Sequence, residues 1–134
     1  MKKIQLMTPF LDDVEISNLK KTLDSGWLTQ GNAVKKFEEK FCNFHKVNYG
    51  AALTSATAGL HLALMALNLK PGGEVIVPSF TWVSSVNCIL YNNLKPKIID
   101  VDHKTFNSTI EQILEAVNKK TVAIVVVNLF GLLG

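Results

Sequence analysis

Metal-ligand and disulfide patterns are absent from this sequence. Its two cysteines, Cys42 and Cys88, stand far apart and form no CxxC pair. They read as buried, reduced thiols of a cytoplasmic protein. His45, His61 and His103 show no ligand spacing with one another or with the cysteines, so no metal is expected. A strong charge of either sign is missing too: 14 basic against 11 acidic residues leave a net +3. The lysines are scattered, with no basic stripe and no aromatic platform, so no nucleic-acid partner is expected. No apolar run reaches membrane-spanning length. Thr8, Pro9 and Asp12 interrupt any signal-peptide core after the basic start MKKIQLMTPF. There is no internal repeat and no low-complexity tract.

What is present suits a packed α/β protein. The 134 residues are 48% hydrophobic and 19% charged, which argues against disorder. A domain near this length hides roughly two-thirds of its unfolded surface. Leu11 to Leu23 reads as a helix, with Ile16, Leu19 and Leu23 on one face and Ser25-Gly26 as its stop. WLTQG, Trp27 to Gly31, reads as a loop. Asn32 is the expected cap of a second helix, whose stripe Val34, Phe37, Phe41 and Phe44 is expected in the core.

From Tyr49 onward, strands and helices alternate. Tyr49–Leu53, Glu74–Val77, Lys97–Val101 and Thr121–Val127 are the expected strands. Leu60–Leu67, Val83–Leu90 and a helix carrying Ile110, Leu114 and Val117 are the expected helices. Pro71-Gly72-Gly73 is a turn, and Ser108 with Glu111 spells a capping box. Short, continuously apolar strands point to a parallel sheet covered on both faces, a three-layer α/β/α fold. Residues 1–48 are assigned to N-terminal helices and a loop, and residues 49–134 to the first part of the larger α/β domain. TVAIVVV is the most apolar strand, and only seven residues follow it. It is either central in the sheet, or the chain is the front part of a larger protein.

TSATAG, Thr54 to Gly59, places three hydroxyls and three small residues where a helix begins. A helix N-terminus has unpaired N–H groups and about half a positive charge, and at the carboxyl end of an open sheet it suits a phosphate. Ser55, Thr57 and the N–H groups of Thr57 and Ala58 would form the cup, with Gly59 allowing close packing behind. Ordinary capping by Thr54 or Ser55 explains the same residues. SFTWVSS, Ser79 to Ser85, occupies the equivalent place after EVIV, and there Trp82 is either core or a platform for a flat heterocycle.

Taken in order, GWLTQG, SATAG, PGGEVIVPSFTWVSS and the Lys-Pro-Lys strand ending IIDVD resemble the DegT/DnrJ/StrS family. These are sugar-nucleotide aminotransferases that use pyridoxal 5′-phosphate (PLP) and have the aspartate-aminotransferase fold. The resemblance runs from about Thr8 to Gly131. SATAG and TWVSS are most similar to the branch that makes UDP-4-amino-4-deoxy-L-arabinose. It implies that Ser55, Thr57 and Ala58 bind the PLP phosphate and that Trp82 stacks on the pyridine ring. Thr29 and Gln30 would bind substrate at the active-site mouth, near a homodimer interface. Asp100 and Asp102 match a pattern taken as structural. Ala56 stands where many members have Gly, and Asn128 where many have His.

The family's Schiff-base lysine and the acidic partner of the pyridine nitrogen have no counterpart here. No catalytic residue is therefore assigned, and these 134 residues alone are expected to be inactive. Within the resemblance, the whole enzyme would move an amino group from glutamate to a nucleotide-linked 4-keto sugar for surface polysaccharide or glycan synthesis. Two alternatives stand beside it: a PLP-dependent keto-deoxysugar dehydratase of the same family, and a non-catalytic remnant that binds a phosphorylated ligand.

Overall fold

The computed structural model describes Ile4 and residues 7–133. The chain separates into two compact units, Met1–Ala52 and Leu53–Gly134.

The first unit holds two helices, α1 (Asp13–Asp24) and α2 (Asn32–His45). Asp12 caps α1: its Oδ1 accepts from the Val14 N–H at 2.8 Å, and Glu15 Oε2 returns the bond to the Asp12 N–H at 2.8 Å. α1 ends at Ser25, and Gly26 takes a left-handed φ of +69°. α2 starts differently from the sequence expectation. Its cap is Gly31, without a side-chain bond, and Asn32 is the first helical residue. The apolar stripe of α2 also corrects an expectation. Val34 is half-buried, but Phe37, Phe41 and Phe44 are exposed, Phe44 at 82%. The phenylalanines touch mainly along their own helix, through the Phe37–Phe41 and Phe41–His45 ring contacts. Periodicity shows which face of a helix is apolar, but not what covers it. Phe44→Ala should therefore change the unfolding free energy of this chain by less than about 0.5 kcal/mol. Chemical denaturation reads this directly; a loss of the size expected for a core phenylalanine, roughly 3–5 kcal/mol, would restore the core reading.

The second unit is built on three parallel strands: β1 (Glu74–Pro78), β2 (Lys95–Ile99) and β3 (Thr121–Ile124), in the order β2-β1-β3. Three helices accompany them: α3 (Ala56–Ala66), α4 (Ser84–Tyr91) and α5 (Ile110–Ala116). Val75, Ile76 and Val77 of the central strand are all fully buried, which requires cover on both faces. Val75 and Val77 pack with Leu64 of α3 and with Cys88 and Ile89 of α4. Ile76 points the other way, toward Ile113 of α5 and Ile124 of β3. The two crossovers run in opposite directions across the sheet, and right-handed crossovers then put α4 and α5 on opposite faces. This is the expected three-layer arrangement.

Several boundaries differ from the sequence reading. Tyr49–Leu53 pairs with no strand among the described residues; the Ala52 N–H instead donates to Glu38 Oε1 at 2.8 Å. β2 begins two residues earlier than expected and ends at Ile99, whose carbonyl accepts from the Ser79 N–H at 2.8 Å. The capping box of α5 is Thr109 with Gln112, not Ser108 with Glu111. Ser108 Oγ is committed elsewhere, donating to the Asp100 carbonyl at 3.4 Å. α5 turns Ile113 and Ala116 inward and leaves Ile110, Leu114 and Val117 exposed. β3 covers only Thr121–Ile124 and lies beside β1 on the side away from β2. No helix among the described residues is long and apolar enough to cross a membrane.

Candidate cofactor-phosphate site

The first turn of α3 is where the small and hydroxyl residues meet. Ser55 is the N-cap, in an extended conformation, and its Oγ accepts from the Ala58 N–H at 3.1 Å. The Gly59 N–H donates to the Ser55 carbonyl at 3.1 Å. The N–H groups of Ala56 and Thr57 precede the first intrahelical bond and point out of the helix end. Ordinary capping is therefore real: it takes the Ala58 N–H, which the sequence assigns to the phosphate cup, and leaves those of Ala56 and Thr57 open. A hydroxyl that accepts from Ala58 keeps its own proton to donate, so Ser55 Oγ–H, Thr57 Oγ1–H and two N–H groups remain for an anion. Thr57 and Ala58 are half-buried, while Ser55 and Ala56 are exposed. Behind the turn, a Cβ on Gly59 would come within 3.3 Å of Leu53 Cδ1. Glycine lets the incoming chain close on the helix there. The donor set fits a phosphate: neutral hydrogen-bond donors, the positive end of a helix dipole, and no side chain large enough to fill the space.

Trp82 lies in the loop between β1 and α4 and is 77% exposed, which removes the core reading. The loop around it is fixed. Ser79 is tied to Ile99, the Ser85 N–H donates to the Trp82 carbonyl at 3.0 Å, and Thr81 Oγ1 lies 2.9 Å from Ser85 Oγ. Ser84 and Ser85 are buried. An exposed indole at a strand's carboxyl end leaves a face open on which a flat ring could stack.

Thr29 and Gln30 lie in the first unit, in the loop between α1 and α2. The Trp27 Nε1–H closes that loop on the Gln30 carbonyl at 3.0 Å. A Cβ on Gly31 would collide with the Trp27 indole, so any other residue there would push the indole out of this position. Both side chains at positions 29 and 30 are exposed.

The sequence reading missed Asn107. It is 3% exposed, and its side chain bonds to the backbone at Leu129 and Leu132, both at 3.0 Å. A lone Asn among turn residues carries no periodic signal, and only the far partners reveal it. Beside it, Asp102 gathers the Lys104 and Thr105 N–H groups on Oδ1, both at 2.9 Å. The Thr105 N–H, then that of Lys104, holds the Asp102 carboxyl below its ordinary value of 3.8. A depressed folded pKa contributes stability that is complete above the unfolded value and lost as pH falls through the folded one. The Lys104 and Thr105 amide shifts should therefore stay flat from neutral pH down to the ordinary carboxylate range and titrate only below it. NMR across an acid titration checks this, and a midpoint above 3.8 would contradict it. Cys88 is pushed up by burial and stays a thiol. Lys97 Nζ donates to the Ala116 carbonyl at 2.7 Å, which is a structural bond.

The chain is similar to a set of known proteins. The model of the DegT/DnrJ/EryC1/StrS aminotransferase family matches residues 9–134. GDP-perosamine synthase of Escherichia coli O157:H7 is 39% identical over 132 residues, covering 98% of this chain and 36% of its own length. Among solved structures, Spr1654 from Streptococcus pneumoniae, assigned as a sugar aminotransferase and solved in its PMP form, superposes with a TM-score of 0.90 at 32% identity. It covers 99% of this chain and 34% of that one. The E. coli GDP-4-keto-6-deoxy-D-mannose-3-dehydratase with bound hydrated PLP gives a TM-score of 0.91 at 33% identity, covering 98% and 35%. The chain thus spans about a third of the length of the relatives it matches.

Proposed function

The chain belongs to the DegT/DnrJ/EryC1/StrS aminotransferase family, and from that premise we propose that it forms the phosphate-gripping part of a PLP-dependent sugar aminotransferase. The whole enzyme would move an amino group from glutamate to a nucleotide-linked 4-keto sugar, serving surface polysaccharide or glycan synthesis. The observation that carries the reading is the first turn of α3, where Ser55 caps the helix and the donors of Ala56 and Thr57 stay open.

When bound, PLP supplies an electron sink for bonds at the amino-bearing carbon. This chain's residues bind and orient it. Ser55 and Thr57 donate hydroxyl protons to phosphate oxygens, and the α3 dipole favours the dianion. Trp82 offers its exposed face to the ring and keeps water from that side. Thr29 and Gln30 contact the sugar substrate at the mouth. Residues 49–134 are the first part of the cofactor-binding domain, and residues 1–48 carry the helices and the mouth loop. The assembly would be a homodimer in the cytoplasm. No residue here is assigned to proton transfer, so these 134 residues alone hold cofactor without turnover.

A second reading is favoured by one observation. The dehydratase superposes on this chain as well as the assigned aminotransferase does, which supports a PLP-dependent keto-deoxysugar dehydratase of the same family as the alternative.

The test is a PLP titration of the purified chain, read by Trp82 emission in a Trp27→Phe background. Saturable quenching that inorganic phosphate competes away supports the reading, with no amino transfer from glutamate by the chain alone. Quenching that never saturates, or that phosphate does not touch, removes it.

A further inference from the structure

The loop after β2 reaches in two directions. Asp102 closes it: besides the two bonds on Oδ1, its N–H donates to the Asn107 carbonyl at 2.9 Å and its carbonyl accepts from the Phe106 N–H at 2.8 Å. The closed loop holds Phe106 at φ +57°, a left-handed conformation uncommon for a bulky side chain. The Phe106 ring lies 5.3 Å from that of Phe80, in the β1–α4 loop two residues from Trp82. The next residue turns the other way. Asn107 Nδ2 donates to the Leu132 carbonyl, and Oδ1 accepts from the Leu129 N–H. Leu129 opens and Leu132 follows a 3₁₀ turn, Leu129–Gly131, in which Phe130 and Gly131 have φ of +53° and +82°. β3 is not the neighbour of β2, because β1 lies between them. Asn107, in the loop after β2, thus bonds to the loop that follows β3, the strand on the other side of β1.

Resting on the proposed function, we infer that residues 102–107 are a brace that sets the spacing of the three carboxyl-edge loops. Phe106 and Asn107 are its positioning residues for the cofactor-facing edge that carries Trp82. A turn needs neither a buried amide bonded at both ends nor a phenylalanine in left-handed backbone. Such a conformation persists where its surroundings over-determine it, and such surroundings cluster at ligand sites. The brace joins the edge at two points, so loosening either one lets the Trp82 platform or the turn at 129–131 drift relative to the α3 cup.

Two variants test this. Asn107→Ala removes both side-chain bonds. Phe106→Gly removes the ring while suiting the left-handed backbone, so the fold is kept. Amide hydrogen exchange and the PLP dissociation constant are measured on each, the latter by Trp82 emission in the Trp27→Phe background. In Asn107→Ala the Leu129 amide should exchange about tenfold faster, the factor one ordinary hydrogen bond supplies, while the amides of β1 keep their protection. Both variants should weaken PLP binding roughly fivefold or more, the effect of lost preorganisation. Unchanged Leu129 exchange in Asn107→Ala overturns the brace. Faster exchange with undiminished PLP binding in both variants overturns its positioning role. A parent chain that never binds PLP sinks the proposed function instead, and Leu129 exchange then decides the brace alone.

Discussion

Replacing Ser55 by aspartate should leave α3 at least as stable as before while weakening PLP binding by a hundredfold or more. Aspartate is as good an N-cap as serine, and a carboxylate at the positive end of the helix dipole is favourable. It can accept the Ala58 N–H that Ser55 Oγ now accepts at 3.1 Å. Toward a phosphate the same change is hostile. A negative charge about 5 Å from a dianion, at an effective dielectric near 20, is repelled by roughly 3 kcal/mol per unit of phosphate charge. That exceeds the factor of a hundred, which needs about 2.7 kcal/mol. The donated Ser55 proton is lost as well. Ser55→Ala separates the effects in the opposite sense. It loses the cap, at about 1 kcal/mol of helix stability, but leaves the open N–H groups of Ala56 and Thr57, so binding should fall by less than tenfold. Melting temperature and PLP affinity, measured on both variants, decide the matter. Ser55→Asp binding PLP as tightly as the parent would mean that no phosphate approaches this turn.

The cap of that turn was the most legible part of it, because Ser55 and the Ala58 N–H it accepts lie three residues apart. The strand-helix alternation after Tyr49 was legible for a related reason: short apolar runs between turn signals have few alternatives. What could not be read depends on partners remote in the chain. Ser108 and Thr109 are both plausible caps, one residue apart; the choice falls on Thr109 because Ser108 reaches back eight residues to Asp100. The end of β2 is set by Asp100 and Asp102, which draw the Val101, Lys104 and Thr105 N–H groups onto their carboxylates and so leave the ladder after Ile99. α5 spans only seven residues, too few for periodicity to separate the Ile110–Leu114–Val117 face from the Ile113–Ala116 face. Trp82 is undecidable from sequence, since an indole serves a core or a platform equally well. Asn107 was invisible because its partners lie 22 and 25 residues away.

Ile76→Ala should be the most damaging single truncation in the chain, at about 3 kcal/mol. Ile76 is fully buried in the central strand and lies, with Pro78, on the α5 face, while Val75 and Val77 share the other face with α3 and α4. Its surroundings cannot close over a deletion. Ile99 and Ile124 are fixed in the flanking parallel strands, and Ile113 is held by a helix whose Thr109–Gln112 capping box pins its start. A void of about 10 Å³ already lies among these side chains, at the lower limit for one water. Removing three carbons there enlarges an apolar cavity that stays empty, so the cavity penalty adds to the transfer term. Against a typical total of about 5–15 kcal/mol, the loss should lower the melting temperature by roughly 10 °C. Ile98→Ala supplies the contrast: Ile98 is in the adjacent strand but 58% exposed, and its truncation should cost under about 1 kcal/mol. Denaturant midpoints with matched slopes measure both. A loss for Ile76→Ala no greater than that for Ile98→Ala would mean that α5 does not cover this face of the sheet, and the three-layer architecture would lose its second cover.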